Sequence, residues 1–245
     1  MDELFSRTRM LLSDDGMDRL AQAKVVVLGL GGVGGSCAET LVRSGVGTLI
    51  LADNDVVTRS NINRQIFATV DSIGMKKTEA AKQRLLSINP DCHVILHDTF
   101  ILMNTLAQII PLDADYVIDC IDTVTAKLDT AQFCCENGIP LVSSMGAGNK
   151  LDPTKLVFTD VYATKVCPLA KVMRRELKHR SVFSLDVLYS LEPAIEPFAE
   201  VTSTLEGDVT SHLKAKRRTP GSVAFVPPVA GIMLAGFVIR KITGK

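Results

Sequence analysis

A doubly wound α/β fold, with a mostly parallel sheet and an antiparallel C-terminal extension, is predicted by three features of the chain. Short β-branched runs alternate with helical stretches over the first half, the rhythm of βαβ units. A glycine-rich turn, GLGGVG at residues 29–34, lies between one such run and a helix. From Gly148 onward the alternation breaks down. Apolar residues make up 47% of 245, enough for a sizeable core in one large domain.

Each element has a local reason. Residues 1–23 read as helix, anchored by Leu11, Leu12, Met17 and Leu20. Residues 24–29 (KVVVLG) form a short apolar run suited to a buried parallel strand, and 31–44 continue as helix. A second strand is predicted over 48–53 (TLILAD). Residues 78–88 follow as helix, stopped by Asn89-Pro90. Strands follow at 93–97 and 116–120 (YVIDC), then a helix at 126–137 closed by Gly138, then a fifth strand at 140–143. Beyond it, 156–160 and 187–191 are expected as antiparallel strands and 169–178 as a helix. The polar, weakly patterned stretch 202–219 reads as a loop.

Composition excludes several classes. The formal net charge is zero, so a nucleic-acid partner has to be met by a local basic patch. Six cysteines, at 37, 92, 120, 134, 135 and 167, contain no C-x-x-C pair, which predicts reduced thiols of a cytoplasmic protein and no zinc site. The start, Met1-Asp2-Glu3-Leu4, is acidic and has no apolar run of a signal peptide. Residues 223–239 carry no charge. Pro227-Pro228 leave only about 11 good helix formers after them, short of the ~20 a membrane span needs, so a buried core helix is expected over an anchor.

The turn at 29–34 is G-x-G-x-x-G between a strand and a helix, the Rossmann-like dinucleotide fingerprint in its required context. Gly29 permits the tight turn, and Gly31, with Gly32 beside it, lets backbone approach a phosphate. Gly34 lets helix and strand pack closely, while the helix N-terminus offers N–H groups to an anion. Asp53 ends the next strand, 19 residues after Gly34, where a carboxylate accepts from ribose hydroxyls. This fingerprint does not by itself separate NAD from ATP.

Three further groups favour ATP. Asn61, Arg64 and Gln65, in SNINRQ at 60–65, follow the ribose strand and offer donors to phosphate oxygens. Lys77 precedes a helix and adds a second cation. Asp119 and Asp122 bracket the end of the fourth strand, and two carboxylates beside a triphosphate point to a magnesium ligand. Cations and a metal there would spread the charge that develops when pyrophosphate leaves the α-phosphate. Taken singly, Arg64 and Lys77 also read as surface charges, and Asp119 or Asp122 as a helix cap. A Walker-type G-x-x-x-x-G-K-[ST] is absent.

Arg7-Thr8-Arg9, GLGGVG, LADND, SNINRQ, GMKKTEA, INP and DCIDT together resemble the ThiF/MoeB group of ubiquitin-activating-like adenylating enzymes over roughly residues 7–160. The resemblance implies a single ThiF-type domain over 1–245. Its nucleotide-binding part would be about 1–150 and its substrate-binding, dimer-forming extension about 151–245. It also implies Asp53 on the ribose, Asn61, Arg64 and Lys77 on the phosphates, and Asp122 on Mg2+. Arg9 would reach into the neighbouring site of a homodimer, and Asp55 matches a further acidic position of the motif. Within the family, the missing C-x-x-C pairs depart from zinc-binding members. Residues 146–155 (GAGNKLDPTK), Asp160 and 168–171 (PLAK) look like the branch that dehydrates tRNA threonylcarbamoyladenosine. That branch would take ATP and tRNA bearing the modified base, adenylate its threonyl carboxylate and close a ring with release of AMP. The alternative is adenylation of the C-terminal glycine of a ubiquitin-like sulfur carrier, or a non-catalytic nucleotide-binding role with a sulfur-transfer partner protein. Cys167 stands near the thioester position of carrier-activating members, and also reads as an incidental thiol. An NAD-linked dehydrogenase is the least favoured reading, because no His or Lys constellation accompanies the glycine loop.

Lys171, Arg174, Arg175 and Lys178 recur at i, i+3, i+4 and i+7, one stripe of a helix. Lys214, Lys216, Arg217 and Arg218 form a second cluster. Both read as an anion-binding face or as a solvated helix face.

Overall fold

The structure, a computed structural model, describes residues 3–198 and 220–245. The loop expected at 202–219 and the basic cluster Lys214 to Arg218 lie outside the described residues.

Among the described residues seven strands form one sheet: β1 (Lys24–Leu28), β2 (Thr48–Ala52), β3 (His93–His97), β4 (Tyr116–Asp119), β5 (Leu141–Ser144), β6 (Leu156–Asp160) and β7 (Asp186–Ser190), in the order β3-β2-β1-β4-β5-β7-β6. Strand β1 is buried on both faces. Val25 and Val27 join the core under one layer of helices, and Val26 and Leu28 join the core under the other. The predicted doubly wound, mostly parallel fold is therefore the one observed.

The first layer comprises α1 (Ser6–Gln22), α2 (Gly32–Arg43), α3 (Lys77–Ile88) and α7 (Val226–Thr243), and the second α4 (Met103–Ile109), α5 (Val124–Asn137) and α6 (Pro168–His179). Helix α1 is interrupted by a kink at Ser13, where φ is 66°. Helix α4 was not anticipated: its apolar sequence, around Leu106 and Ile109, carries no clear period over so few residues.

The C-terminal part agrees with expectation in its strand pairing and departs from it in the length of one helix. Strand β7 pairs antiparallel with β6, as expected, and on its other side joins the parallel sheet through β5, with Val142 opposite Asp186 and Ser144 opposite Leu188. The chain leaves β6 at Asp160, lays α6 against α5 through Ala170, Met173 and Leu177, and returns to the same edge at Asp186. That β7 lies next to β5 depends on this return path and leaves no mark in the apolar pattern of the strand itself. The helix expected within residues 223–239 is longer than the roughly 11 residues counted after its prolines. Pro227 and Pro228 occupy the first turn of α7, where a missing N–H costs nothing, and the helix runs for 18 residues. By length and composition it could cross a membrane, but half of it is buried within the fold. It packs along α2 so closely that a side chain at Gly231 would meet the Val33 carbonyl oxygen at 2.1 Å.

Candidate nucleotide site

Strand order reverses between β1 and β4, and ligands of open α/β sheets sit outside the carboxyl ends at such a switch point. Gly29 follows β1 in the left-handed region, at φ 84°, and donates its N–H to Ala52 O at 2.8 Å. A Cβ on Gly34 would fall 1.8 Å from the Gly29 carbonyl oxygen, so the first turn of α2 lies directly on the loop. Gly31 caps α2 with no side-chain hydrogen bond, leaving the first-turn N–H groups to an external acceptor.

Asp53, just past β2, is buried. Its Oδ2 accepts the Leu30 N–H of the glycine loop at 2.6 Å, and its Oδ1 accepts the Asp55 N–H at 2.8 Å. The carboxylate thus holds the loop in shape, a task the sequence did not disclose, and each oxygen keeps a lone pair for a further donor. Lys77, the first residue of α3, is buried. Its Nζ lies 2.7 Å from Asp55 Oδ2 and 4.0 Å from Asp53 Oδ2.

The segment after β2 reaches the same place through a 3-10 turn at Arg59–Asn61, where Asn61 Oδ1 accepts the Thr58 N–H at 3.1 Å. Arg64 Nη1 donates to Ser60 O at 3.0 Å and Asn63 Oδ1 at 2.8 Å. A Cβ on Gly32 would meet Arg64 O at 3.1 Å, and one on Gly31 would meet Gln65 Nε2 at 4.0 Å. Arg64 and the buried Gln65 therefore abut the glycine loop.

Asp119 and Asp122 separate. Asp122 is exposed beyond the end of β4. Asp119 is fully buried: its Oδ2 accepts Lys127 Nζ at 2.8 Å and Ser143 Oγ at 2.6 Å, and its Oδ1 accepts Ile121 N–H at 2.9 Å. It is a structural anion and not one of two metal carboxylates as its position had implied. Among the described residues no group of three His, Cys, Asp or Glu side chains could hold a metal by itself. Lys127 escaped the sequence reading because a lysine inside a helical stretch gives no sign that its partner lies on the adjacent strand.

Arg9 lies on the first part of α1 and pairs with Asp14 at 3.0 Å. Cys167 is buried at the N-cap of α6, in the core with Met173 and Leu177. Of the basic stripe, Lys171, Arg175 and Lys178 are exposed, whereas Arg174 is half-buried and donates to Thr164 O at 3.0 Å. Arg174 is therefore withdrawn from the expected four-residue face. A cavity of about 710 Å³ opens at the opposite, amino-terminal end of the sheet, lined by Arg19, Asp115, Tyr116, Pro140 and Lys241. It contains none of the groups above, so size alone does not mark this site.

The ThiF family model matches residues 5–245. The tRNA threonylcarbamoyladenosine dehydratase of Bacillus subtilis is 39% identical over 239 residues, covering 97% of this chain and 94% of that protein. The enzyme of the same name from Escherichia coli is 36% identical, covering 98% and 94%. Among solved structures, the E. coli dehydratase TcdA in complex with AMP superposes with a TM-score of 0.87 at 31% identity, over 98% of this chain and 94% of that one. Its complex with ATP gives 0.86. The chain, matched over nearly its whole length, belongs to the ThiF family.

Proposed function

We propose that this protein is an ATP-dependent adenylating enzyme that dehydrates threonylcarbamoyladenosine in tRNA. The observation that carries the reading is the gathering of the glycine loop, Asp53, Asn61, Arg64, Gln65 and Lys77 at one carboxyl edge, in a chain similar end to end to dehydratases of that name. The α2 N-terminus with Gly29, Gly31, Gly32 and Gly34 receives phosphate, and Asp53 receives the ribose. Arg64 and Lys77 neutralise phosphate charge, Lys77 exchanging Asp55 for a phosphate oxygen.

The substrate's threonyl carboxylate oxygen bonds to the α-phosphorus as the bond to pyrophosphate breaks. A nucleophilic atom of the same nucleoside then bonds to the acyl carbon, and AMP leaves with the former carboxylate oxygen. The net change in the tRNA is loss of one water. An internal nucleophile has a high effective concentration, so no enzyme thiol is required, which agrees with the burial of Cys167.

The donor set fits magnesium held jointly with phosphate oxygens, for which one exposed carboxylate, Asp122, suffices. The ion would supply charge neutralisation as pyrophosphate departs. Residues 1–150 would serve the nucleotide and 151–245 the tRNA and a second subunit. Arg9 would complete the neighbour's site in a cytoplasmic homodimer, and a sulfur-transfer partner stays secondary.

The test is product mass on tRNA carrying the threonylcarbamoyl base. ATP-dependent loss of one water is expected. Pyrophosphate exchange seen only with a carrier protein ending in Gly-Gly would overturn the reading. Carrier activation has narrower support: the E. coli sulfur carrier protein ThiS adenylyltransferase matches at 35% identity over 58% of this chain. Mixed dimers of Arg9→Ala and Asp122→Ala chains should recover activity at one intact site. Absence of recovery would place Arg9 in its own chain's site or outside catalysis.

A further inference from the structure

Asn149 follows β5 in the loop at the carboxyl edge and holds the left-handed conformation, at φ 57°, which asparagine tolerates better than most side chains. It bonds two separate segments. Its N–H donates to Gly221 O at 2.8 Å, and its Oδ1 accepts the Gly221 N–H at 2.6 Å. Its carbonyl accepts the Ile195 N–H at 2.9 Å. Gly148, beside it, lies so close to Pro220 that a Cβ there would fall 2.8 Å from Pro220 Cβ. A strut reinforces the same loop: Glu192 accepts the Leu151 N–H at 3.0 Å and the Asp152 N–H at 3.0 Å, and the buried Lys150 donates to the Glu192 carbonyl.

The other end of this arrangement is Asn63. Its Nδ2 donates to Ser222 O at 3.1 Å, while its Oδ1 accepts Arg64 Nη1 at 2.8 Å. An unbroken set of bonds therefore runs from Arg64 through Asn63 to Ser222, Gly221 and Asn149, and on to Ile195. We infer that Asn63 and Asn149 are positioning residues that relay nucleotide engagement at Arg64 to the loop at 146–152 and the segments around Ile195 and Gly221. This rests on the nucleotide reading above and deepens it. When phosphate claims the Arg64 guanidinium, Asn63 is re-oriented, and its only described link onward is Ser222. The loop that follows β5 is where a carboxylate would approach the α-phosphate, so the relay readies the acyl-acceptor side once ATP is held.

Hydrogen–deuterium exchange of the full-length protein, with and without saturating ATP and magnesium, tests this, with ATP binding measured separately by calorimetry. In the parent, ATP should slow exchange at the Gly221 and Ile195 amides by about fivefold or more, the lower range of ordinary allosteric couplings. Asn63→Ala should still bind ATP yet lose that protection. Asn149→Gly keeps the backbone conformation but loses the side-chain acceptor, and should speed Gly221 exchange. Asn149→Asp restores an acceptor and should restore the protection. A merely structural role would give no dependence on ATP. Heat of ATP binding without protection, or protection that persists in Asn63→Ala, overturns the relay alone. Absence of ATP binding overturns the nucleotide reading and the relay with it.

Discussion

Gly31 and Gly34, three positions apart in the loop, should fail in different ways when each is given a methyl group. At Gly34 a Cβ would lie 1.8 Å from the Gly29 carbonyl oxygen and 3.2 Å from Cys120 Cβ. Real Cβ atoms essentially never come within 3.0 Å of another atom in this way, so the first contact has to widen from 1.8 Å to at least 3.0 Å. The obstacle is backbone, and α2 is clamped between the loop and α7, so neither side yields cheaply. Overpacking of this kind costs about 3 kcal/mol. For a chain of this size that is a melting temperature lower by roughly 6–12 °C. At Gly31 the nearest atom to a Cβ is Gln65 Nε2 at 4.0 Å, and φ is −73°, which alanine adopts without strain. Gly31→Ala should therefore melt within about 2 °C of the parent. Its methyl would stand where the backbone is open to a phosphate, and ATP affinity should fall by about 30-fold, or 2 kcal/mol. Differential scanning fluorimetry and calorimetry separate the two effects. Parent-like ATP binding by Gly31→Ala would show that no phosphate approaches this backbone, and a Gly34→Ala protein melting like the parent would refute the packing argument.

Other expectations follow from the same geometry. Lys127→Met leaves the buried Asp119 carboxylate unpaired, at a cost of about 3–5 kcal/mol read by urea denaturation, and Asp119→Leu in the same chain should recover most of it. Burial pushes the thiols of Cys92 to about 11 and Cys134 to about 12. Both stay protonated at neutral pH, so native-state alkylation at pH 7.5 followed by mass spectrometry should modify the exposed Cys135 and spare those two. Cys167→Ser should keep turnover within about tenfold, and a loss beyond ~100-fold, about 2.7 kcal/mol of barrier, would revive a thioester route. Changing Lys171, Arg175 and Lys178 to Glu should weaken tRNA binding and flatten its salt dependence by about 0.9 units of slope per lost phosphate contact. Arg174→Ala should act on stability, because its guanidinium is spent on Thr164.

The sequence by itself determined the parts of this protein whose cause is local. Apolar runs of β-branched residues named the sheet's seven described strands to within a residue or two, including the antiparallel pairing of the last two. The glycine spacing located the switch-point loop, because the left-handed backbone at Gly29 and the 1.8 Å approach of Gly34 to the Gly29 carbonyl are both set within six residues of chain. Asp53, Arg64 and Lys77 were legible as candidates because each stands at a fixed distance from a strand end or a helix start. Tertiary structure alone decided what depends on partners distant in the chain. Asp119 and Asp122 look alike in sequence, and only the packing of α5 and β5, through Lys127 and Ser143, buries one and leaves the other at the surface. Arg174 shares a helical stripe with three exposed cations, yet Thr164, ten residues earlier, removes it from the face. The place of β7 beside β5 was settled by where α6 finds apolar surface on α5, and the length of α7 by the groove that α2 offers it. Asn63 and Asn149 gave no signal in sequence, since hydrogen bonds spanning 72 and 159 positions leave no periodic trace in either segment.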